Sequence, residues 1–199
     1  MLLVIDSATA ACSAALIDGG RLTDERHELV GRGHAERLVP MIEDLLAGRR
    51  PDGVLVDAGP GSFTGIRVGL AAAHGLAIGW RVPLSAYSAM AAVAAAVDAE
   101  ELAVALHGGH GQLFVQSFRH GPLAPIDALR SLTPAEAAEV TRAEVVAGSG
   151  AEALVLARGY GTATDALPRA ADARLIPAAL RTLPPRPIYG RGSDAKPAA

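Results

Sequence analysis

Residues 57–70 read DAGPGSFTGIRVGL, and no other stretch restricts the chain as much. An apolar run from Val54 to Val56 precedes it, and an Ala/Gly-rich run continues to Trp80. The chain must therefore leave a buried strand, cross a glycine-rich turn and begin a helix at about Gly65. Such a junction presents free backbone N–H groups and the positive end of a helix dipole, so it can hold an anion. It is not a Walker A loop, because no Lys follows a glycine at the required offset. Nor is it a good dinucleotide fingerprint. Gly59, Gly61 and Gly65 read G-x-G-x-x-x-G, one residue too long, and no acidic residue follows about twenty positions on. A purely structural turn satisfies the same pattern. Gly69 and the small residues after it favour close approach of this helix to another backbone.

The segments on either side are equally local in their signals. Leu2 to Ile5 reads as a buried strand ending at Asp6, and Cys12 to Ile17 as a second. Asp18-Gly19-Gly20 marks a hairpin, since these residues tolerate the positive φ of tight turns. Leu22 to Leu29 is then a third strand, polar enough for an edge. Leu38, Met41, Ile42, Leu45 and Leu46 follow helical spacing, with Gly48 as the stop. Pro40 should remove one backbone bond and kink that helix. Ser88 to Val97 reads as another helix, so the first half runs β-β-β-α-β-α. Leu102 to Leu106 and Leu113 to Phe118 add two strands. Thr133-Pro134-Ala135-Glu136 is a capping box with Pro at the first helical position. Val145 and Val146 form one more strand. The second half is thus a shorter echo of the first, judged on element order alone. Leu183 to Pro187 cannot be helix interior. These readings divide the chain into an N-terminal lobe at 1–100, a reduced lobe at 101–190 and a disordered tail at 191–199.

Composition removes several functions. Half of the 199 residues are apolar, so disorder is excluded for the body of the chain. The net charge is −3 with no block of like charge, which argues against a sequence-independent grip on nucleic acid. Cys12 is the single cysteine, so neither an intrachain disulfide nor a thiolate zinc site can form. The only lysine is Lys196, which leaves lysine-based chemistry without a candidate in the body. The first apolar run is too short for a signal peptide, and Arg81 and Pro83 interrupt the longest apolar stretch. A cytoplasmic protein without a membrane span is expected.

Two further groups of residues invite chemistry. Asp6, Ser7 and Thr9 lie just past a strand and before a hairpin. In actin-like ATPases such a loop cradles phosphate, and its Asp holds a metal-bound water. With Gly59, Gly61 and Ser62 it reads here as the relic of a phosphate loop; a polar strand end explains it equally. His34 opens the first helix on the face of Leu38, which also suits a plain solvated helix start. His107 and His110 flank two glycines, a poor frame for metal ligands. No nucleophile elbow and no catalytic triad can be assembled. The sequence offers no catalytic residue and no metal site.

Taken together, LVIDSATAACSAAL, HAERLVPMIEDLL and above all GPGSFTGIRVGLAAAHGLA resemble the TsaB family, also called YeaZ, with a weaker match at PIYGRGSDAK. The resemblance is close over residues 1–97 and loose beyond. It implies an α/β actin-like ATPase fold, of the ASKHA and RNase H-like type, with two lobes of mixed sheet and the second reduced. It also implies a non-catalytic subunit that pairs with its paralogue TsaD, the tRNA threonylcarbamoyltransferase, through a helical bundle. The product would be threonylcarbamoyladenosine at position 37 of tRNAs reading ANN codons. TsaE would join the assembled complex, and tRNA would be met only indirectly. The alignment sets Ala89 and Val93 where the paralogue carries metal-binding histidines. The chain departs from the family pattern at His107 and Gly109. On this reading no cofactor belongs to the isolated chain, and ATP or ADP has a place only at the complex interface. The partner face is expected on His34, Leu38, Met41, Leu45, Phe63, Arg67, Leu70 and His74, and the same face should form a homodimer when TsaD is absent. The rival reading is an active ATP-dependent kinase or hydrolase of the actin-like superfamily, acting through Asp6 and the Gly59–Gly65 loop.

Overall fold

A computed structural model describes residues 1–190. The expected tail at 191–199, Lys196 included, lies outside the described residues. The chain begins with strands Leu2–Asp6 (β1), Ala11–Asp18 (β2) and Arg21–Leu29 (β3), followed by helix His34–Leu46 (α1). Strand Gly53–Asp57 (β4), helix Phe63–Trp80 (α2), strand Leu84–Tyr87 (β5) and helix Ala89–Ala96 (α3) complete the first half. The five strands form one sheet in the order β3-β2-β1-β4-β5. The β1–β2 and β2–β3 pairs are antiparallel, whereas β1, β4 and β5 run parallel.

Local chemistry explains most of this. Gly19 and Gly20 adopt φ of 53° and 80°, which closes the β2–β3 hairpin where the sequence predicts it. β3 is the edge strand and carries its charge outward. Arg26 pairs with Asp24 and Asp44, and Arg37 from α1 pairs with Glu28, so the open edge is guarded by ion pairs. α1 continues through Pro40 to Leu46. α2 starts two residues earlier than expected, because the Ser62 hydroxyl accepts the Gly65 N–H and caps it. β5 escaped the sequence reading altogether. LSAY has no alternation of its own, and its strand character comes from parallel pairing with β4.

The second half contains β6 (Glu101–Gly109), β7 (Gln112–Arg119), β8 (Ala124–Pro125), β9 (Arg130–Leu132), α4 (Pro134–Val140), β10 (Val145–Ala147), α5 (Ala151–Arg158) and β11 (Thr162–Thr164). α4 has the full capping box at Thr133 and Glu136. The sheet order is β11-β10-β6-β7-β8, with β9 also on β7. Read from the same end, the first sheet runs β5-β4-β1-β2-β3. The β6–β7 hairpin therefore stands for β1–β2, β10 for β4 and β11 for β5, with α4 and α5 in the places of α1 and α2. The echo is one of topology; α4 is signalled by its capping box, whereas α5 has no side-chain cap and β8, β9 and β11 are only two or three residues long. This is the two-lobed actin-like ATPase arrangement.

Alternation along the strands divides the interior. Leu3, Ile5, Val54 and Val56 pack under α1 and α2, while Val4 and Leu55 face the other way. On that second side they meet α3, together with Leu102, Val104, Leu106 and Phe118 of the second sheet. α3 is apolar on all sides and is buried between the two sheets. A third cluster lies under α4 and α5. Residues 170–190, grouped with the second lobe on sequence, return to the first. A 3-10 helix at Ala170–Arg174 donates the Ala170 N–H to Ser13 Oγ at 3.0 Å, and Arg169 pairs with Glu25 at 2.6 Å. Leu183 then bridges Ala86 on the β5 edge. The chain crosses back because that edge has unpaired backbone groups that need partners. Among the described residues, no helix is long and apolar enough to cross a membrane.

Candidate functional site

The parallel strands β1, β4 and β5 end side by side, and each ends on a polar residue: Asp6, Asp57 and Tyr87. All three are essentially buried. The Tyr87 hydroxyl donates to Asp6 Oδ2 at 3.0 Å, and the Ala8 N–H donates to Asp6 Oδ1 at 3.4 Å. The Gly59 N–H donates to Asp57 Oδ1 at 2.7 Å. Asp57 Oδ2 is buried and, among the described residues, has no hydrogen bond of ordinary geometry; the Asp57 carboxyl group interacts with the Asp6 carboxyl, another acceptor, and with the Ala89 N–H. Two acceptors facing each other are satisfied only by a proton between them. Burial, only partly offset by the Tyr87 and Asp57 hydrogen bonds, raises Asp6 to about 6. Burial and then the Asp6 charge push Asp57 well above its ordinary value, so Asp57 holds the shared proton.

The two expected phosphate-loop segments are pressed together over this cluster. The Ser62 N–H donates to the Ala8 carbonyl at 2.6 Å, and Ser7 Oγ donates to the Gly65 carbonyl at 2.9 Å. A Cβ on Gly61 would lie 1.9 Å from the Ala8 oxygen, and one on Gly65 2.0 Å from the Ser7 oxygen. The glycines thus serve backbone-to-backbone contact. The second lobe repeats the device, since a Cβ on Gly148 would lie 2.2 Å from the Ala105 oxygen.

Outside these loops a cleft of about 900 Å³ opens between the lobes. Thr9, Gly61, Ser62, Phe63 and Arg67 line it from the first lobe, His107 and Ser149 from the second, and Ile188 to Gly190 from the returning segment. Phe63 and Tyr189 stack with centroids 5.5 Å apart, and the Arg67 guanidinium lies 3.5 Å over the Phe63 ring. Arg67 Nε also donates to the Tyr189 hydroxyl at 3.1 Å. Among the described residues, no group of three or more His, Cys, Asp or Glu is placed to hold a metal ion.

The expected partner face divides in two. Leu38, Met41, Leu45 and Leu70 are buried in the core beneath α1 and α2, at 0 to 6% exposure, and are not available to a partner. His34 is also buried, with Nε2 at 2.8 Å from the Thr9 carbonyl and 3.3 Å from that of Ala11, so that nitrogen carries the proton. The apolar spacing that marks these residues marks the face turned toward the sheet, which corrects the expectation. Phe63, Arg67 and His74 are exposed, though His74 meets the Pro185 carbonyl at 3.0 Å. They share the outer face of α2 with Ala71, Gly75, Ile78 and Gly79. Ile78 is 75% exposed and Phe63 56%. Sequence reasoning missed Asp57 as a partner of Asp6, although it ends an apolar strand in the same way. It also missed Tyr87 and Ile78, for which the sequence carries no signal.

The family model described as TsaD: tRNA N6-adenosine threonylcarbamoyltransferase matches residues 27–133. The tRNA threonylcarbamoyladenosine biosynthesis protein TsaB of Haemophilus influenzae is 42% identical over 100 residues, 48% of this chain and 42% of that protein. The Escherichia coli protein of the same name is 39% identical over 98 residues, 47% of this chain and 42% of its own. These matches span less than half the length of either relative. The solved structure of YeaZ from Pseudomonas aeruginosa is 30% identical and superposes with a TM-score of 0.76, covering 88% of this chain and 89% of that one.

Proposed function

From the premise that this chain belongs to the TsaB (YeaZ) family, we propose that it is the non-catalytic partner subunit of the enzyme that makes threonylcarbamoyladenosine in tRNA. Its role is to bind TsaD through the outer face of α2 and hold it in an active arrangement for adenosine 37 of tRNAs reading ANN codons. It works in the cytoplasm, TsaE joins the assembled pair, and tRNA is contacted through TsaD.

The observation that carries this reading is the composition of the α2 face. Ala71, Gly75 and Gly79 let another helix approach closely, while Phe63 and Ile78 supply apolar area beside the single cation Arg67. That surface suits a helix of similar kind. The buried state of Asp6 also favours a partner over an ATPase, since a group at 0% exposure does not reach a ligand. The test is copurification with TsaD, followed by a reconstituted modification assay with and without this chain. Ile78→Arg should abolish both complex formation and stimulation while the free chain keeps its wild-type melting temperature. Full stimulation by that variant would sink the proposal.

A further inference from the structure

In the actin-like fold the ends of the first strands are where a nucleotide's phosphates and metal would be held. The residues of this chain do not fit that group. Asp6 has both oxygens committed, one to the Tyr87 hydroxyl and one to the Ala8 N–H. The Ser62 N–H, which a phosphate would need, is spent on the Ala8 carbonyl at 2.6 Å. Gly61 and Gly65 lie directly against the Ala8 and Ser7 carbonyls, which leaves no gap between the loops for a phosphate. Among the described residues, no carboxylate lines the cleft outside.

We infer that Asp6, Asp57 and Tyr87 form a closed acid clasp that ties the ends of β1, β4 and β5 together and shuts the phosphate position, so that the cleft excludes magnesium–polyphosphate ligands. Asp57 contributes as a neutral acid. Its carboxyl hydrogen is a further donor to Asp6 beside the Tyr87 hydroxyl and the Ala8 N–H, and its Oδ1 accepts the Gly59 N–H at the start of the loop. The clasp therefore couples strand alignment to loop closure. It is a property of this chain's own interior and does not depend on the partner.

Calorimetric titration of the full chain with ATP, with and without magnesium chloride, tests the exclusion. No magnesium-dependent binding is expected up to millimolar ligand. Saturable magnesium-dependent binding would overturn the inference, and its loss in Asp6→Asn would place it at the strand ends. The clasp is tested separately by melting at neutral pH. Asp57→Asn places a permanent N–H donor against Asp6 and should raise the melting temperature by roughly 3 °C. Tyr87→Phe removes another donor and should lower it by a similar amount. An Asp57→Asn protein that melts below wild type, or does not fold, would mean that Asp57 acts as a carboxylate and that the clasp is wrong. Either result is independent of whether TsaD binds.

Discussion

At the scale of single residues, the carboxyl pair at the strand ends makes a definite statement about pH. Both acids have folded-state values raised above the ordinary 3.8, to about 6 for Asp6 and well above normal for Asp57. A raised acid binds its proton more tightly when folded. The stability it contributes is therefore whole below about pH 4 and is lost as pH rises through about 6. The groups facing the pair do not reverse this. Burial pushes the Cys12 thiol up to about 11 and Tyr87 well above 10, so neither ionises in that window. Burial also raises Asp172, against the pull of Arg169 and Arg174, which adds the same sign. Between about pH 5 and pH 8 the wild type should lose on the order of 2 kcal/mol of unfolding free energy, and Asp57→Asn should lose clearly less. Parallel denaturation curves across that range decide the matter; identical slopes for the two proteins would count against a shared proton. Gly61 makes a second residue-scale prediction. Its added Cβ would meet a backbone oxygen at 1.9 Å, which no rotamer relieves. Gly61→Ala should cost on the order of 3 kcal/mol in urea denaturation.

At the scale of elements, α1 and α2 differ in what their open faces offer. The outer face of α1 carries Glu36, Arg37, Glu43 and Asp44, with Val39 among them. Two of those charges already pair with β3. α2 has no acidic residue in its first turn and no basic residue in its last, and beyond Arg67 its outer face carries Ala71, His74, Gly75, Ile78 and Gly79. Gly75 is the informative position. Among the described residues a Cβ there meets nothing within 4 Å, and a mid-helix glycine carries a conformational cost. Gly75→Ala should therefore stabilise the free chain by roughly 0.5–1 kcal/mol. If α2 is the docking helix, the same methyl group should weaken association with TsaD, because it holds the two backbones apart. Thermal melting and a binding isotherm measured on one preparation should move in opposite directions. Unchanged affinity would place the contact elsewhere.

At the scale of the whole molecule, the returning segment joins the lobes. It runs from Arg169 on Glu25, through Leu183 on the β5 edge, to Tyr189 stacked on Phe63. It also borders the outer face of α2, where His74 meets Pro185. The exposed apolar surface of α2 is thus framed and remains open to solvent. If the partner is a paralogue with a related face, as proposed, a twofold homodimer through α2 is the expected state when TsaD is absent. Light scattering over a dilution series should show dimer giving way to monomer, and added TsaD should displace it. Ile78→Arg should give a monomer of unchanged stability, while Leu38→Arg, which puts a charge into the core, should fail to fold. A wild type that stays monomeric at every concentration would show that the α2 surface is too small to pair with itself.

Much of the architecture was determined by signals a few residues long. The hairpin at Gly19 and Gly20, the cap at Thr133, the strand alternation of Leu3 to Ile5 and the strand–turn–helix junction at 57–70 each depend on neighbours in the chain, so the sequence carries them openly. The remainder depends on partners far away. LSAY is a strand because β4 lies beside it, and Tyr87 matters because Asp6, 81 residues earlier, accepts its hydrogen bond. Helical spacing identified Leu38, Met41, Ile42, Leu45 and Leu46 as one apolar set, but spacing does not say what covers a face. The sheet took that side of α1 and α2; Phe63 and Arg67, already expected on the partner face, stay open, and only the packed structure added Gly75 and Ile78. Asp6 likewise reads as a ligand-facing acid until the loops close over it. Periodicity specifies which residues share a face; burial is a property of the whole assembly of elements and is decided only when they pack.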